Sequence, residues 1–246
     1  MTLIKSTIFH ICFWTWSVNM NLLFLPALIM PRKAVVFGQK IWALGVMWLL
    51  KFIVKLNFQI ITKENFPKPP FVLAIKHQSI WDTIILHMII KDPAIVMKDD
   101  LLKIPIYGWY CKKSGMIPID RKSGSSALKK IIKNCKKAKD EGRSIAIFPQ
   151  GTRVLPNEQA PYLPGITAIY KYLNIPVLPV ALNSGLFWPL NRYKKYEGTI
   201  TVSVLNSIQP GLSKKNFKDT LESSIEEESK KLAIEAIKNY PNIIKN

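Results

Sequence analysis

The sequence predicts an α/β fold, a mixed and largely parallel sheet flanked by helices, with a hydrophobic and amphipathic helical membrane anchor at its N-terminal end. Two observations carry this. Past residue 70, short apolar runs alternate with polar, helix-like stretches, the signature of strands connected by helices. Before it, two long apolar stretches lie almost free of acidic residues. Composition agrees: 48 % of the 246 residues are hydrophobic, enough for one ordinary domain and an appendage.

From Ser6 to Met30 there is no Lys, Arg, Asp or Glu. Such a run exceeds the roughly 20 residues that cross a bilayer, although Asn19, Asn21 and Pro26 interrupt it. Only Lys5 carries charge before it and no small-x-small site follows, so a retained membrane segment is expected rather than a cleaved signal. The second stretch, Ala34 to Leu56, carries Lys40, Lys51 and Lys55, with Lys33 just before. At about 100° per residue these lysines fall in an arc of about 60°, a basic stripe that suits a helix lying in the membrane interface. The alternative is a buried helix of a soluble domain with its lysines at the surface.

Pro67, Pro69 and Pro70 mark a boundary. Phe71–Ile75, Ala94–Met97, Met116–Ile119, Ile145–Phe148, Val177–Leu182 and Thr199–Leu205 read as strands. Ser125–Asp140 reads as a helix with Leu128, Ile131, Ile132, Cys135 and Ala138 on one side. Ser213–Asn239 reads as a charged amphipathic helix with Phe217, Leu221, Ile225, Leu232 and Ile237 available for packing. The organisation expected is an anchor over 1–56, an α/β domain over 57–212, and a C-terminal helix over 213–246 packed on that domain.

The net charge of +19 calls for an anionic partner, whether nucleic acid, an acidic membrane surface or a phosphorylated substrate. The lysines between Lys129 and Lys139 are the best argument for a non-catalytic basic binding protein, but they fall on the polar face of a helix. No nucleic-acid motif or interleaved aromatics accompany them. The cysteines Cys12, Cys111 and Cys135 show no C-x-x-C spacing, so neither a disulfide framework nor a zinc site is indicated.

His77 stands at a strand end, where α/β folds place ligands. Asp82 follows five residues on, about 140° away in an ideal helix, so the two meet only if His77 lies in the turn and Asp82 in the helix after it. Asp82 would then hold the imidazole in one tautomer and leave Nε2 free as a general base. A bare spacing of this kind more often marks a structural histidine, and a metal site with His87 as third ligand is a further alternative. Gly115–Arg121 forms a second strand, with Asp120 and Arg121 at its end. Phe148–Arg153 is a third, broken by Gly151. Arginines in such places suit bidentate phosphate binding, and Gly151 would let the backbone approach an anion. Taken singly, Arg121 and Arg153 could equally form surface salt bridges.

Together, His77–Asp82, Gly115–Arg121, Phe148–Arg153 and Ile175–Val180, in this order, resemble the four blocks of the glycerophosphate acyltransferase family, particularly its bacterial 1-acyl-sn-glycerol-3-phosphate acyltransferases. The resemblance covers about residues 70–182. It implies acyl transfer from acyl-CoA or acyl-carrier protein to the sn-2 hydroxyl of a 1-acyl-glycerol-3-phosphate, giving phosphatidic acid, by direct attack without an acyl-enzyme. It implies His77 as base and Asp82 as its partner. Lys98, Arg121 and Arg153 would bind the substrate phosphate over a turn shaped by Gly151 and Thr152, and the block containing Pro176 and Pro179 would line a substrate channel. Membrane lipids would be the partners, with no nucleic acid, metal or cofactor. The location implied is the inner membrane with the catalytic domain facing the cytoplasm. Two positions depart from the family pattern: Lys76 stands where Asn is usual, and Gln150 where Glu is usual, which makes Gln150 a candidate acceptor contact and leaves room for another lyso-lipid acceptor.

Overall fold

A computed structural model of the chain describes residues 2–64, 66–120, 124–156 and 158–243. Arg121, one of the expected phosphate ligands, lies outside the described residues. The elements run α1 (Thr2–Leu23), α2 (Arg32–Leu49), β1 (Leu56–Thr62), β2 (Val72–Ile75), α3 (Trp81–Ile89), β3 (Ala94–Lys98), α4 (Tyr107–Lys113), β4 (Ile117–Ile119) and α5 (Gly124–Asp140). They continue with β5 (Ile145–Ile147), α6 (Pro164–Leu173), β6 (Val177–Leu182), the one-turn α7 (Ser184–Phe187), β7 (Gly198–Val204) and α8 (Lys214–Asn239). The described strands form one seven-stranded sheet in the order β1-β7-β6-β2-β5-β3-β4.

Neighbours are parallel except β6 and β7, which pair antiparallel. The mixed, largely parallel sheet expected from the sequence is therefore the sheet observed. The strand missed is β1. It pairs along its whole length with β7 at the sheet edge, and most of its side chains are exposed, so it lacks the apolar run that marks the inner strands. Lys55 in the left-handed region, φ 62°, ends the preceding helical turn and launches it. The opposite edge strand, β4, contains Pro118, a residue that sheets admit at edges because it donates no ladder bond.

The two faces of the sheet divide strictly by strand period. On β2, Leu73 and Ile75 join Ile84 and Ile85 of α3 and Val46 and Met47 of α2 in one core. Val72 and Ala74 join Ile131 and Cys135 of α5, Ile166 and Ile169 of α6, and Phe217, Leu221 and Ile225 of α8 in the other. The β2–α3–β3 connection thus crosses one face, and the β5–α6–β6 connection crosses the other in the opposite direction. Between β2 and β5 the sheet has a switch point, the place where such folds open a crevice at the strand ends. The core also runs through both ends of the 57–212 segment marked out from the sequence: Leu50, Val54 and Leu56 belong to it, as does Ala236 of α8.

The two N-terminal helices form a hairpin against this body. Gly38 and Gly45 of α2 are notches: a Cβ would lie 2.5 Å from the Phe24 ring at the first and 2.3 Å from Trp16 at the second. Trp16 Nε1 donates to the Trp42 carbonyl at 3.0 Å, and Trp42 Nε1 donates to Ser17 Oγ at 3.0 Å. The α1 helix docks through Phe9, fully buried and edge-on to Trp188 at 5.3 Å between centroids. Ser6 Oγ accepts from the Lys195 backbone N–H at 2.9 Å. Arg32 of α2 pairs with Asp92 and Glu141, both at 3.1 Å.

The outer side of the hairpin remains apolar. Ile4, Ile8, Ile11, Trp14, Val18 and Leu22 of α1 are exposed at helical spacing, as are Phe37, Leu44 and Trp48 of α2 and Phe52 just beyond it. Lys33, Lys40, Lys51 and Lys55 are exposed along the second stretch. The segment Arg32–Val54, 23 residues long, is the one helix among the described residues with the length and composition to cross a membrane. The first apolar stretch, expected to be a retained membrane segment, is tied to the α/β body by Ser6, Phe9 and His10, the last stacked on Tyr193.

Beneath α1, the Lys195 side chain is buried and donates to the carbonyls of Arg192 and Tyr193, both at 2.9 Å. Desolvation lowers its pKa to about 8. A lysine whose folded pKa is depressed binds fewer protons folded than unfolded, so its charge destabilises the fold below about pH 8 and that penalty fades as pH rises toward the unfolded value. Thermal melts of Lys195→Met against the parent should therefore show the larger stabilising difference at pH 7, shrinking by pH 10. A difference independent of pH would mean that Lys195 binds its proton equally well folded and unfolded, so that burial does not disfavour its charge.

Candidate active site

The strand β2 ends at Ile75, and the chain then turns through Lys76–Ile80 into α3. Asp82, in the first turn of α3, is fully buried and folds back over that turn. Its Oδ2 accepts from the backbone N–H of Gln78 at 2.6 Å and of Ser79 at 2.7 Å, and lies 3.0 Å from His77 Nδ1. Its Oδ1 accepts from Ser184 Oγ at 2.5 Å. An acceptor so engaged leaves Nδ1 of His77 as a donor and Nε2 as the nitrogen able to take a proton. The meeting of His77 and Asp82 across turn and helix is the arrangement their spacing requires.

The imidazole is held on its face as well as at its edge. It stacks on Phe148, the residue after β5, with centroids 3.9 Å apart and rings inclined by 22°. The His77 side chain keeps 15 % exposure where Asp82 has none. The base candidate thus touches solvent, while the group orienting it does not.

Beside it runs the turn Phe148–Arg153. Gly151, at φ 70°, donates its N–H to the Phe148 carbonyl at 2.9 Å, closing a turn that a side chain at that position would strain. Val154 N–H donates to the His77 carbonyl at 2.8 Å, which sets this turn directly against the histidine. Thr152 is exposed and Arg153 half-buried. Among the described residues the Arg153 guanidinium has no ion-pair or hydrogen-bond partner, so the surface salt bridge considered for it is not formed. Lys98, at the end of β3 two strands from β2, is exposed and pairs with Asp100 at 2.6 Å.

Two expectations change. Gln150 does not face the open side of the turn: it is 4 % exposed, and its Nε2 donates inward to Glu226 Oε1 of α8 at 3.3 Å. The direct acceptor contact expected for Gln150 is thus replaced by an interior bond. Lys76, the other position that departs from the family pattern, is buried and pairs with Glu226 inside the protein. Second, Val177–Leu182 is buried at every residue in the middle of the sheet, so the block containing Pro179 builds core rather than a channel wall. His87 is not brought to His77 and Asp82; among the described residues no three His, Cys, Asp or Glu side chains converge as a metal site would require. The α5 lysines Lys129, Lys130, Lys133, Lys136 and Lys137 are solvated, and Lys139 donates to the Leu173 carbonyl at 2.7 Å.

Ser184, Tyr162 and Glu226 were not identified from the sequence. Ser184 had a signal, since it stands at the end of β6 beside the strand that carries His77. Glu226 had none, being one of several acidic residues on an amphipathic helix. Tyr162 donates to Glu226 Oε1 at 3.1 Å, and burial beside that carboxylate pushes its hydroxyl far above the usual range, so it remains a donor.

Comparison with known proteins now decides the family. The Acyltransferase family model matches residues 57–183, and a 1-acyl-sn-glycerol-3-phosphate acyltransferase of Pseudomonas aeruginosa is 34 % identical over 185 residues, 75 % of this chain and 72 % of that one. The chain belongs to the acyltransferase family. A protein of the same name from Saccharomyces cerevisiae is 27 % identical over 139 residues, covering 55 % of this chain and 46 % of the yeast one. The crystal structure of the 1-acyl-sn-glycerophosphate acyltransferase of Thermotoga maritima superposes with a TM-score of 0.75 at 20 % identity, covering 94 % of this chain and 98 % of that one, a likeness of fold. In this acyltransferase the family match spans β2, β5 and the turns after them, the segments that bring His77, Asp82 and Arg153 together.

The Ser184 contact is open to test. Removing one hydrogen bond to a buried carboxylate costs about 1.5–3 kcal/mol. Ser184→Ala should lower the melting temperature and reduce acyl transfer roughly tenfold through a less firmly held His77. Unchanged turnover would show that the two backbone donors alone suffice to hold Asp82.

Proposed function

We propose that the protein transfers an acyl group from acyl-CoA or acyl-carrier protein to the sn-2 hydroxyl of 1-acyl-glycerol-3-phosphate, yielding phosphatidic acid. The observation that carries this reading is Arg153, unpaired among the described residues, on a turn hydrogen-bonded to His77. An anion-binding group and a base with a free nitrogen share one strand-end crevice, and an acceptor with a phosphate two carbons from a hydroxyl needs both. The relatives' names point to the same acceptor.

In this reading His77 Nε2 takes the proton of the acceptor hydroxyl as its oxygen attacks the thioester carbonyl. Asp82 keeps Nδ1–H in place and stabilises the imidazolium. When the tetrahedral intermediate collapses, the C–S bond breaks, the ester C–O bond remains, and the departing thiolate takes the proton from His77. No protein nucleophile and no cofactor is required. General-base assistance of this kind contributes about 10²–10⁴-fold. Arg153 and Arg121 would grip the phosphate, with Lys98 adding positive charge at the adjacent strand end and Gly151 and Thr152 shaping the floor.

Both substrates carry long acyl chains, and the apolar outer face of the α1–α2 hairpin supplies the matching device. We place that face in the bilayer, with the α/β body on the cytoplasmic side of the inner membrane. Exposed lysines on the same helices would add about 1 kcal/mol each toward anionic lipid. Binding to vesicles should accordingly weaken in high salt without being lost, and complete release by salt alone would rule out insertion of the hairpin.

The decisive assay is acyl transfer to lysophosphatidic acid in detergent or vesicles, with a panel of other lyso-lipids alongside. Phosphatidic acid should form with the parent, and His77→Ala should lose at least about 10² in rate. Turnover only with a phosphate-free lyso-lipid would replace this acceptor with another.

A further inference from the structure

The two positions that depart from the family pattern, Lys76 and Gln150, meet in space on a third residue from a distant part of the chain. Lys76 is 1 % exposed, and among the described residues its only carboxylate partner is Glu226. Glu226 Oε2 takes the lysine, while Oε1 accepts from Gln150 Nε2 at 3.3 Å and from Tyr162 Oη–H at 3.1 Å. One carboxylate on α8 therefore ties together the residue before His77, the residue before Gly151 and the segment entering α6. The backbone repeats the connection, with Leu163 N–H donating to the Pro149 carbonyl at 2.9 Å.

Charge explains why these residues go together. Lys76 brings one positive charge into the interior, Glu226 one negative charge, and Gln150 and Tyr162 none. A glutamate at position 150 would set a second carboxylate against the first, where like charges disfavour ionisation of both. A Lys76 without Glu226 would be an uncompensated buried cation, among the costliest defects a fold can carry. The lysine thus accounts for the acid on α8, and the acid accounts for the amide in the turn.

We propose that Glu226 is a positioning residue for the transfer reaction. Neutralised by Lys76, it clamps Gln150 from beneath and so fixes where Thr152 and Arg153 sit relative to His77. The His77 ring edge is held from another side, by Asp82, which Ser184 holds in turn. Loss of the clamp should therefore disturb acceptor binding far more than the proton-transfer step. This rests on the turn being the acceptor-phosphate site proposed above.

The test combines melting temperatures with acceptor kinetics. Glu226→Leu strands the lysine and should melt well below the parent. Lys76→Met/Glu226→Leu removes both charges together and should recover much of that loss, giving a folded variant without the clamp. In that double variant the KM for lysophosphatidic acid should rise roughly tenfold with kcat within about threefold of the parent. Gln150→Glu alone should lower the melting temperature, and Gln150→Glu/Glu226→Gln, which moves the carboxylate instead of adding one, should restore part of it. An unchanged KM in the folded double variant would overturn the positioning role. Strictly additive melting shifts would overturn the charge coupling. If the parent acylates no glycerophosphate acceptor, the functional reading falls, and the melting shifts alone still decide whether the three residues act as a unit.

Discussion

Asp82 is a carboxylate with no exposure to water, and the crevice is organised around satisfying it. A buried charge without partners would cost several kcal/mol. Here both oxygens are occupied by Gln78, Ser79, His77 and Ser184. Each bond also fastens something: the two backbone donors fix the turn between β2 and α3, Ser184 fixes the entry to α7, and the histidine receives its orientation. The interaction that orients His77 therefore also holds the ends of β2 and β6 together.

A second constraint is that β2 and β5 are neighbours whose following connections leave on opposite faces of the sheet. Their ends are consequently uncovered, and His77 and the Phe148–Arg153 turn converge there from segments some 70 residues apart in sequence. The ring of Phe148 and the Val154–His77 bond turn that proximity into a fixed geometry. On the α2–α3 side of the sheet, the α1–α2 hairpin packs on the same body through Phe9, Val46 and Met47, while the notches at Gly38 and Gly45 join its two helices to each other. Its apolar outer face is thereby held rigidly with respect to the crevice instead of trailing on a linker.

Much of this was readable in the chain. Inner strands announce themselves as short apolar runs because they are buried on both faces, and β2, β3, β5, β6 and β7 were placed within a residue or so. The edge strand β1 was not, because a strand exposed on most of its side chains loses that contrast. His77 and Asp82 were legible as a pair because the spacing allows only one way for them to meet. The role of Gln150 was not, since nothing local distinguishes an amide facing substrate from one facing the interior.

The sequence by itself determined the class of fold, the apolar N-terminal helices, and the pairing of His77 with Asp82, since all three depend on local pattern and residue type. Only the tertiary structure decided that Lys76 and Gln150 share Glu226, that Ser184 completes the Asp82 shell, and that the Pro179 block is core. These depend on which segments the sheet order brings together across 76 to 150 positions of sequence. Burial is a property of that packing: the same lysine or glutamine is a solvated surface residue or half of a buried pair according to what lies opposite it.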